Sequence, residues 1–198
     1  DSFINTADPV MVPWRSLGLP DSLLAGSPAS PDEDFEVTRL TDGSGGELKG
    51  LELQYQQPFT FLPGFLNNTG FIGNMTFVDS EVDYGAAGKN RLRGQSDFMY
   101  NATLYYEDDK FSARASAAYR DDYLIDFPAG NGNTEEGVNA TLNFDASISY
   151  EVVDGVRLSL EAINLTDEYS DRYVDATNRV SNYRHFGREF LIGARASF

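Results

Sequence analysis

The chain has no cysteine, one histidine and one tryptophan, and no apolar run approaching the roughly 18 residues that a transmembrane helix needs. The first absence excludes disulfide frameworks and thiolate metal sites and leaves the redox compartment open. The second leaves a hydrolase triad or a histidine-rich metal centre short of groups, so His185, among Tyr183, Arg184, Phe186 and Arg188, reads as a surface or lumen residue. Positive charge is scarce as well. Fifteen Lys and Arg face 31 Asp and Glu, giving a net charge of −16 with no basic cluster, which argues against any sequence-independent grip on nucleic acid. No charged and apolar leader precedes Asp1-Ser2-Phe3, so a secretion signal is expected to have been removed or to lie outside this sequence. The missing hydrophobic run does not exclude a membrane, because in a barrel strand only every second residue meets lipid.

What the chain does have is alternation. Residues 140–152 place Ala140, Leu142, Phe144, Ala146, Ile148, Tyr150 and Val152 on one strand face, and Thr141, Asn143, Asp145, Ser147, Ser149 and Glu151 on the other. Comparable runs centre on 51–56, 71–77, 98–106, 111–120, 156–162 and 190–198, which makes seven strands. Residues 1–46 differ: five of the eight prolines fall there, with the run 42–46 rich in glycine, so this region is expected to be loop. A short helix over 20–25 and a brief strand over 35–40 are its only expected elements.

The connectors alternate in length. Residues 107–110 and 153–155 are tight turns, whereas 79–95, 124–138 and 166–186 are long and rich in Gly, Asn and Asp; the apolar turn at 58–67 falls on the short side by parity. Short turns at one end and long loops at the other is the habit of bacterial outer-membrane barrels. The aromatics Tyr55, Tyr106, Phe111, Tyr119, Tyr150 and Phe198 near the strand ends resemble interfacial girdles. The expected fold is all-β: an antiparallel transmembrane β-barrel segment over 47–198, with 1–46 as a long extracellular loop region. Two rival readings are a soluble antiparallel sheet acting as a binding module and a small outer-membrane barrel enzyme; the second needs a nucleophile beside His185, and none is evident.

Residues 156–173, with the Asn164-Leu165-Thr166-Asp167 turn and a following Tyr, resemble the penultimate strand of TonB-dependent outer-membrane receptors, and 183–198 resemble their closing strand. The phrases at 46–53 and 92–96 are similar to habitual phrases of the same family. The resemblance implies a Gram-negative outer membrane, a barrel of about 22 strands of which these are the last seven, and uptake of an oligosaccharide or an iron-siderophore complex. It also implies outer-membrane lipid, a TonB energy complex acting through a plug, and the barrel assembly machinery as partners. No plug or TonB box is read before residue 47, so the chain is expected to be a fragment. Gly193, Ala196 and Phe198 fit the spacing of the C-terminal assembly signal, although Ala196 stands where an aromatic is common.

Within such a receptor, ligand contacts are expected in the long loops, with Trp14, Tyr84, Arg91, Arg93, Tyr123, Tyr169 and Tyr173 as candidates, because aromatic stacking and guanidinium hydrogen bonds suit sugars and iron chelates alike. No cofactor, metal or catalytic residue is expected. The acidic groups Asp79, Glu81, Asp83 and Asp167, Glu168, Asp171 read as solvated rim carboxylates rather than calcium ligands. Asn67, Asn74, Asn101, Asn139 and Asn164 head Asn-X-Thr triplets that mostly fall in or beside strand runs, where Thr is favoured without glycosylation.

Overall fold

The computed structural model describes residues 4–6, 9–42 and 45–197. The chain forms two compact units, residues 1–47 with 82–89, and residues 48–81 with 90–198. Among the described residues there is no α-helix.

The first unit holds β1 (Ile4–Thr6), β2 (Val10–Pro13), β3 (Asp34–Val37) and β4 (Leu40–Asp42), paired antiparallel as β1 with β4 and β2 with β3. Its buried anchor is Trp14, whose ring packs against Phe35 at a 5.1 Å centroid distance and whose Nε1 donates to Asp21 Oδ1 at 3.1 Å. The helix expected at 20–25 is a single 3-10 turn, Asp21–Leu24. Ala25 is already extended, and Gly26 and Pro28 follow, so no second turn can repay the cost of nucleation.

The second unit is built mainly on one sheet. The strands that lie wholly or in part within it are β5 (Gly46–Pro58), β6 (Thr69–Asp83), the two-residue β7 (Lys89–Asn90) beside β6, β8 (Phe98–Glu107), β9 (Phe111–Arg120), β12 (Thr141–Val153), β13 (Val156–Ile163) and β16 (Glu189–Ala196), in the order β5-β6-β8-β9-β12-β13-β16. Between them in sequence lie β10 (Tyr123–Asp126), β11 (Glu136–Val138), β14 (Tyr169–Val174) and β15 (Ala176–His185), which form a second sheet in the order β10-β11-β14-β15. The expected loops at 124–138 and 166–186 are therefore largely paired strand. Their Gly and Asn content is concentrated at 129–133, and the β14–β15 turn needs only Asp175 in the left-handed region, with φ 62°. The expected loop at 79–95 also starts late, since β6 runs on to Asp83.

The register of the large sheet keeps one alternation across six strands. Phe71 faces Leu104, Leu104 faces Ala115, Ala115 faces Ala146, Ala146 faces Ala162, and Ala162 faces Phe190. A second row runs Met75, Tyr100, Tyr119, Leu142. A slip of one residue at any pairing would throw apolar side chains onto the polar face, so the pattern fixes the register. The polar face is knitted across strands: Asn101 Nδ2 donates to Asn74 Oδ1 at 3.0 Å, the Thr103 and Ser116 hydroxyls meet at 2.8 Å, as do those of Ser112 and Ser149, and Arg157 pairs with Glu151 at 3.3 Å. The exposure runs opposite to that of a water-soluble protein. Leu104, in an interior strand, is 58% exposed and Ile192 87%, while the facing polar residues of β12 are half-buried.

The tight turns are built by named groups. The Asp108 carboxylate accepts from the backbone N–H of Phe111 at 2.8 Å and of Lys110 at 2.9 Å and from the Tyr106 hydroxyl at 2.7 Å, which holds it below the ordinary carboxylate range. In the β12–β13 turn, Gly155 takes φ 77° and its carbonyl accepts the Ser197 N–H at 2.8 Å, tying down the end of the last strand. Gly193 faces Ser159, whose Oγ fills the space a side chain would need, and Ala196 faces Val156; Phe198, the third residue of the expected assembly signal, lies outside the described residues.

Gly155 supplies a direct test of this construction, because a Cβ there would lie 2.5 Å from the Ser197 carbonyl oxygen in addition to the strain of positive φ. Gly155→Ala is expected to lower unfolding free energy by about 1–3 kcal/mol in urea titrations of the lipid-reconstituted protein. Gly130→Ala, with open space around it, should change it by less than about 0.5 kcal/mol.

Candidate ligand cleft at a break in the sheet

Each strand of the smaller sheet is contiguous in sequence with a strand of the larger one: β9 leads to β10, β11 to β12, β13 to β14 and β15 to β16. The two sheets also share one strand order, β10-β11-β14-β15 alongside β9-β12-β13-β16. The ladder is thus interrupted and resumed, with breaks at 121–122, 139–140, 164–168 and 186–188. These breaks lie at the strand ends opposite the tight turns at 107–110 and 153–155.

Asn164 organises the interruption. It and Asp167 adopt φ 57°, which Asn and Asp tolerate better than most residues. The Asn164 Oδ1 accepts the Glu168 N–H at 2.7 Å, and its Nδ2 donates to the carbonyls of Glu168 and Gly187, each at 2.9 Å. One side chain therefore ties the break after β13 to the break before β16. Thr166 Oγ1 donates to the Leu142 carbonyl at 2.8 Å, and the Asn164 N–H to Asp145 Oδ1 at 2.8 Å. On the next strand, Asn139 Nδ2 donates to Asp171 Oδ2 at 2.8 Å and to the Thr177 carbonyl at 3.0 Å. The backbone groups released by the broken ladder are met by amides and carboxylates, as buried polar groups must be.

The break opens a cleft of about 400 Å³. Its floor is the polar face, with Thr141 and Asn143 from β12 and Arg120 from β9; its upper wall carries Tyr123 and Tyr169, and its side carries Phe186 and Glu189. Arg120 works as scaffold: its Nε donates to Ser96 Oγ at 2.9 Å, its Nη2 to the Gly94 carbonyl at 3.1 Å, and its guanidinium lies 3.7 Å from the Tyr123 ring centroid. Tyr169 packs against Tyr183 in a tilted arrangement at 4.9 Å between centroids, and Phe186 is 77% exposed.

A second cluster braces the smaller sheet. Tyr173, 1% exposed, donates its hydroxyl to Asp122 Oδ2 at 3.1 Å; the Arg91 guanidinium pairs with the same carboxylate and donates to the Tyr173 oxygen at 3.2 Å. Burial, followed by the charge of Asp122, pushes the Tyr173 phenol up to about 12. Its ring crosses Gly137, where any Cβ would collide with it. Arg93 pairs with Asp126 at 3.2 Å and donates to the Phe127 carbonyl.

The seven candidate ligand residues are thereby sorted by place. Tyr123 and Tyr169 meet in the cleft, while Arg91 and Tyr173 meet in the brace, with Arg93 bound to β10 and the residue after it. Trp14 and Tyr84 are buried in the other unit. Arg120, Asp122, Phe186 and Glu189 were not singled out by sequence. Arg120 falls in phase with the polar face and so reads as one more polar wall residue, and Phe186 lies just before a strand whose own alternation takes attention. His185 Nε2 meets Asp167 Oδ1 at 3.0 Å, and Arg188 lies 3.9 Å from the same carboxyl group. Among the described residues no group of three or more His, Cys, Asp or Glu side chains is placed to hold a metal ion.

A sheet with its apolar side chains on the more exposed face and a hydrogen-bonded polar face opposite has the construction of a membrane β-barrel wall. The family model described as TonB dependent receptor-like, beta-barrel, matches residues 18–165, well over half of the chain, and the chain belongs to that family. No curated protein matches it. The family is one of transporters of the Gram-negative outer membrane, and membership implies a lipid context and interaction with TonB.

The brace predicts a titration. Because the folded-state pKa of Tyr173 is raised, its contribution to stability is complete below pH 10 and is lost as pH rises towards 12. The difference in phenolate absorbance between the protein and Tyr173→Phe should therefore develop near pH 12; a difference that develops near pH 10 would show that the hydroxyl is neither buried nor paired with Asp122.

Proposed function

We propose that this chain is the C-terminal part of the barrel wall of an outer-membrane receptor that actively takes up a scarce nutrient, an oligosaccharide or an iron-siderophore complex. The observation that carries the reading is the apolar face, continuous across six register-locked strands and exposed even at interior positions such as Leu104, Ile148 and Leu158. A contiguous exposed apolar surface of this extent needs an apolar solvent or partner, and acyl chains supply one. The polar face then lines the lumen, where Asn, Ser and Thr hydrogen bonds and ion pairs remain hydrated. The tight turns at Asp108 and Asp154 lie on the periplasmic side, and the cleft, at the opposite strand ends, lies on the outer side where ligand arrives. Residues 1–46 are an extracellular region in this reading.

In this setting the partners are outer-membrane lipid, the TonB energy complex through a plug carried by the receptor, the barrel assembly machinery at Gly193, Ala196 and Phe198, and the nutrient. The role is transport rather than catalysis. Residues 47–198 supply about seven of the wall strands.

Topology gives the sharpest test. An epitope inserted beside Gly132 should be reached by antibody on intact cells, and one beside Asp109 only after the outer membrane is breached; surface access at Asp109 alone would invert the orientation. Depth gives another: Leu160→Arg, on the apolar face of β13, should cost about 2–4 kcal/mol in bilayer-folded protein. A cost near zero would place that face in water.

A further inference from the structure

The cleft at the sheet break has a chemistry that separates the two nutrient classes, and the argument rests on the receptor reading above. Its volume falls within the range of about 300–1,000 Å³ typical of small-molecule sites. Its charge is set by Arg120, Glu168 and Glu189. The Arg120 guanidinium donates to Ser96 and Gly94 and lies against the Tyr123 ring, and it is one cation in a cleft that also holds two carboxylates. Neither the Glu168 nor the Glu189 side chain has a hydrogen-bond or ion-pair partner among the described residues. Two unengaged carboxylates repel a polyanionic chelate, but each accepts hydrogen bonds readily from neutral hydroxyls.

The rings add the complementary feature. Phe186, 77% exposed beside Gly187 at φ 80°, and Tyr169, 45% exposed, both line the cleft. A sugar ring has a carbon–hydrogen face that covers such aromatic surface and a rim of hydroxyls that needs acceptors, and Thr141 and Asn143 on the floor add donors as well as acceptors. A planar apolar ligand would leave the carboxylates dehydrated and unpaired. We propose that this cleft is a subsite for one ring of an uncharged oligosaccharide, with Tyr169 and Phe186 covering its carbon–hydrogen faces and Glu168 and Glu189 accepting its hydroxyls. Selectivity against anionic chelates comes from the same two carboxylates.

The test uses the full-length receptor in detergent, titrated calorimetrically with maltohexaose, xylohexaose, mannohexaose and ferric enterobactin. At least one of the hexaoses should bind, and the double variant Tyr169→Ala/Phe186→Ala should weaken that binding tenfold or more, whereas Phe61→Ala, an exposed ring in the 58–67 turn, should leave it unchanged. Binding of ferric enterobactin in place of all three hexaoses, binding of none of the four, or hexaose binding indifferent to the double variant would overturn the subsite. In parallel, Phe186→Cys is treated with a membrane-impermeant maleimide on intact cells. Labelling there without hexaose binding removes the subsite and leaves the receptor reading standing; a receptor absent from the outer membrane removes the receptor reading and the subsite with it.

Discussion

Backbone hydrogen bonding between neighbouring strands sets the limits within which everything else in this molecule is arranged. A strand can leave its side chains in lipid only if its N–H and C=O groups are paired with the next strand, and pairing in one register decides which side chains those are. The row from Phe71 through Leu104, Ala115, Ala146 and Ala162 to Phe190 is therefore a consequence of the ladder as much as of hydrophobicity. Alanine is well suited to this face, since a bilayer needs no jigsaw packing against it, and the larger Tyr100, Tyr119 and Leu142 form their own row nearer the break.

Where the ladder is interrupted, its unpaired groups become the structural problem and the functional opportunity. Asn164, Asn139 and Asp145 answer the problem with side-chain hydrogen bonds: Asn164 ties one strand break to another, and the other two tie a break to a neighbouring strand. The gap they stabilise is the cleft. Arg120 belongs to the same solution, pinning the 94–96 segment while its plane supports Tyr123. The brace of Arg91, Asp122 and Tyr173 then stiffens the smaller sheet, and Gly137 permits it by leaving room for the Tyr173 ring.

The large sheet was legible in the sequence because period-two alternation is a local signal, and runs such as 98–106, 111–120 and 140–152 carry it almost without error. The smaller sheet was not, since β10, β11 and β14 are three to six residues long and their pairing is decided by partners distant in sequence. Glycine and asparagine at 129–133 made the whole of 124–138 read as loop. For the cleft, residue type announced Tyr123 and Tyr169 but could not place them. Trp14 carried the same aromatic signal and is spent on packing against Phe35, while Phe186 and Arg120 carried none beyond their strand phase.

The central claim is that one face of this sheet meets lipid and the other water. Nitroxide labels placed singly at residues 147–150 of the receptor in lipid vesicles test it most directly, by comparing relaxation from dissolved oxygen with relaxation from a water-soluble nickel chelate. The account predicts oxygen dominance at Ile148 and Tyr150 and nickel dominance at Ser147 and Ser149, alternating residue by residue. Nickel dominance at all four positions would contradict it and place the whole sheet in water.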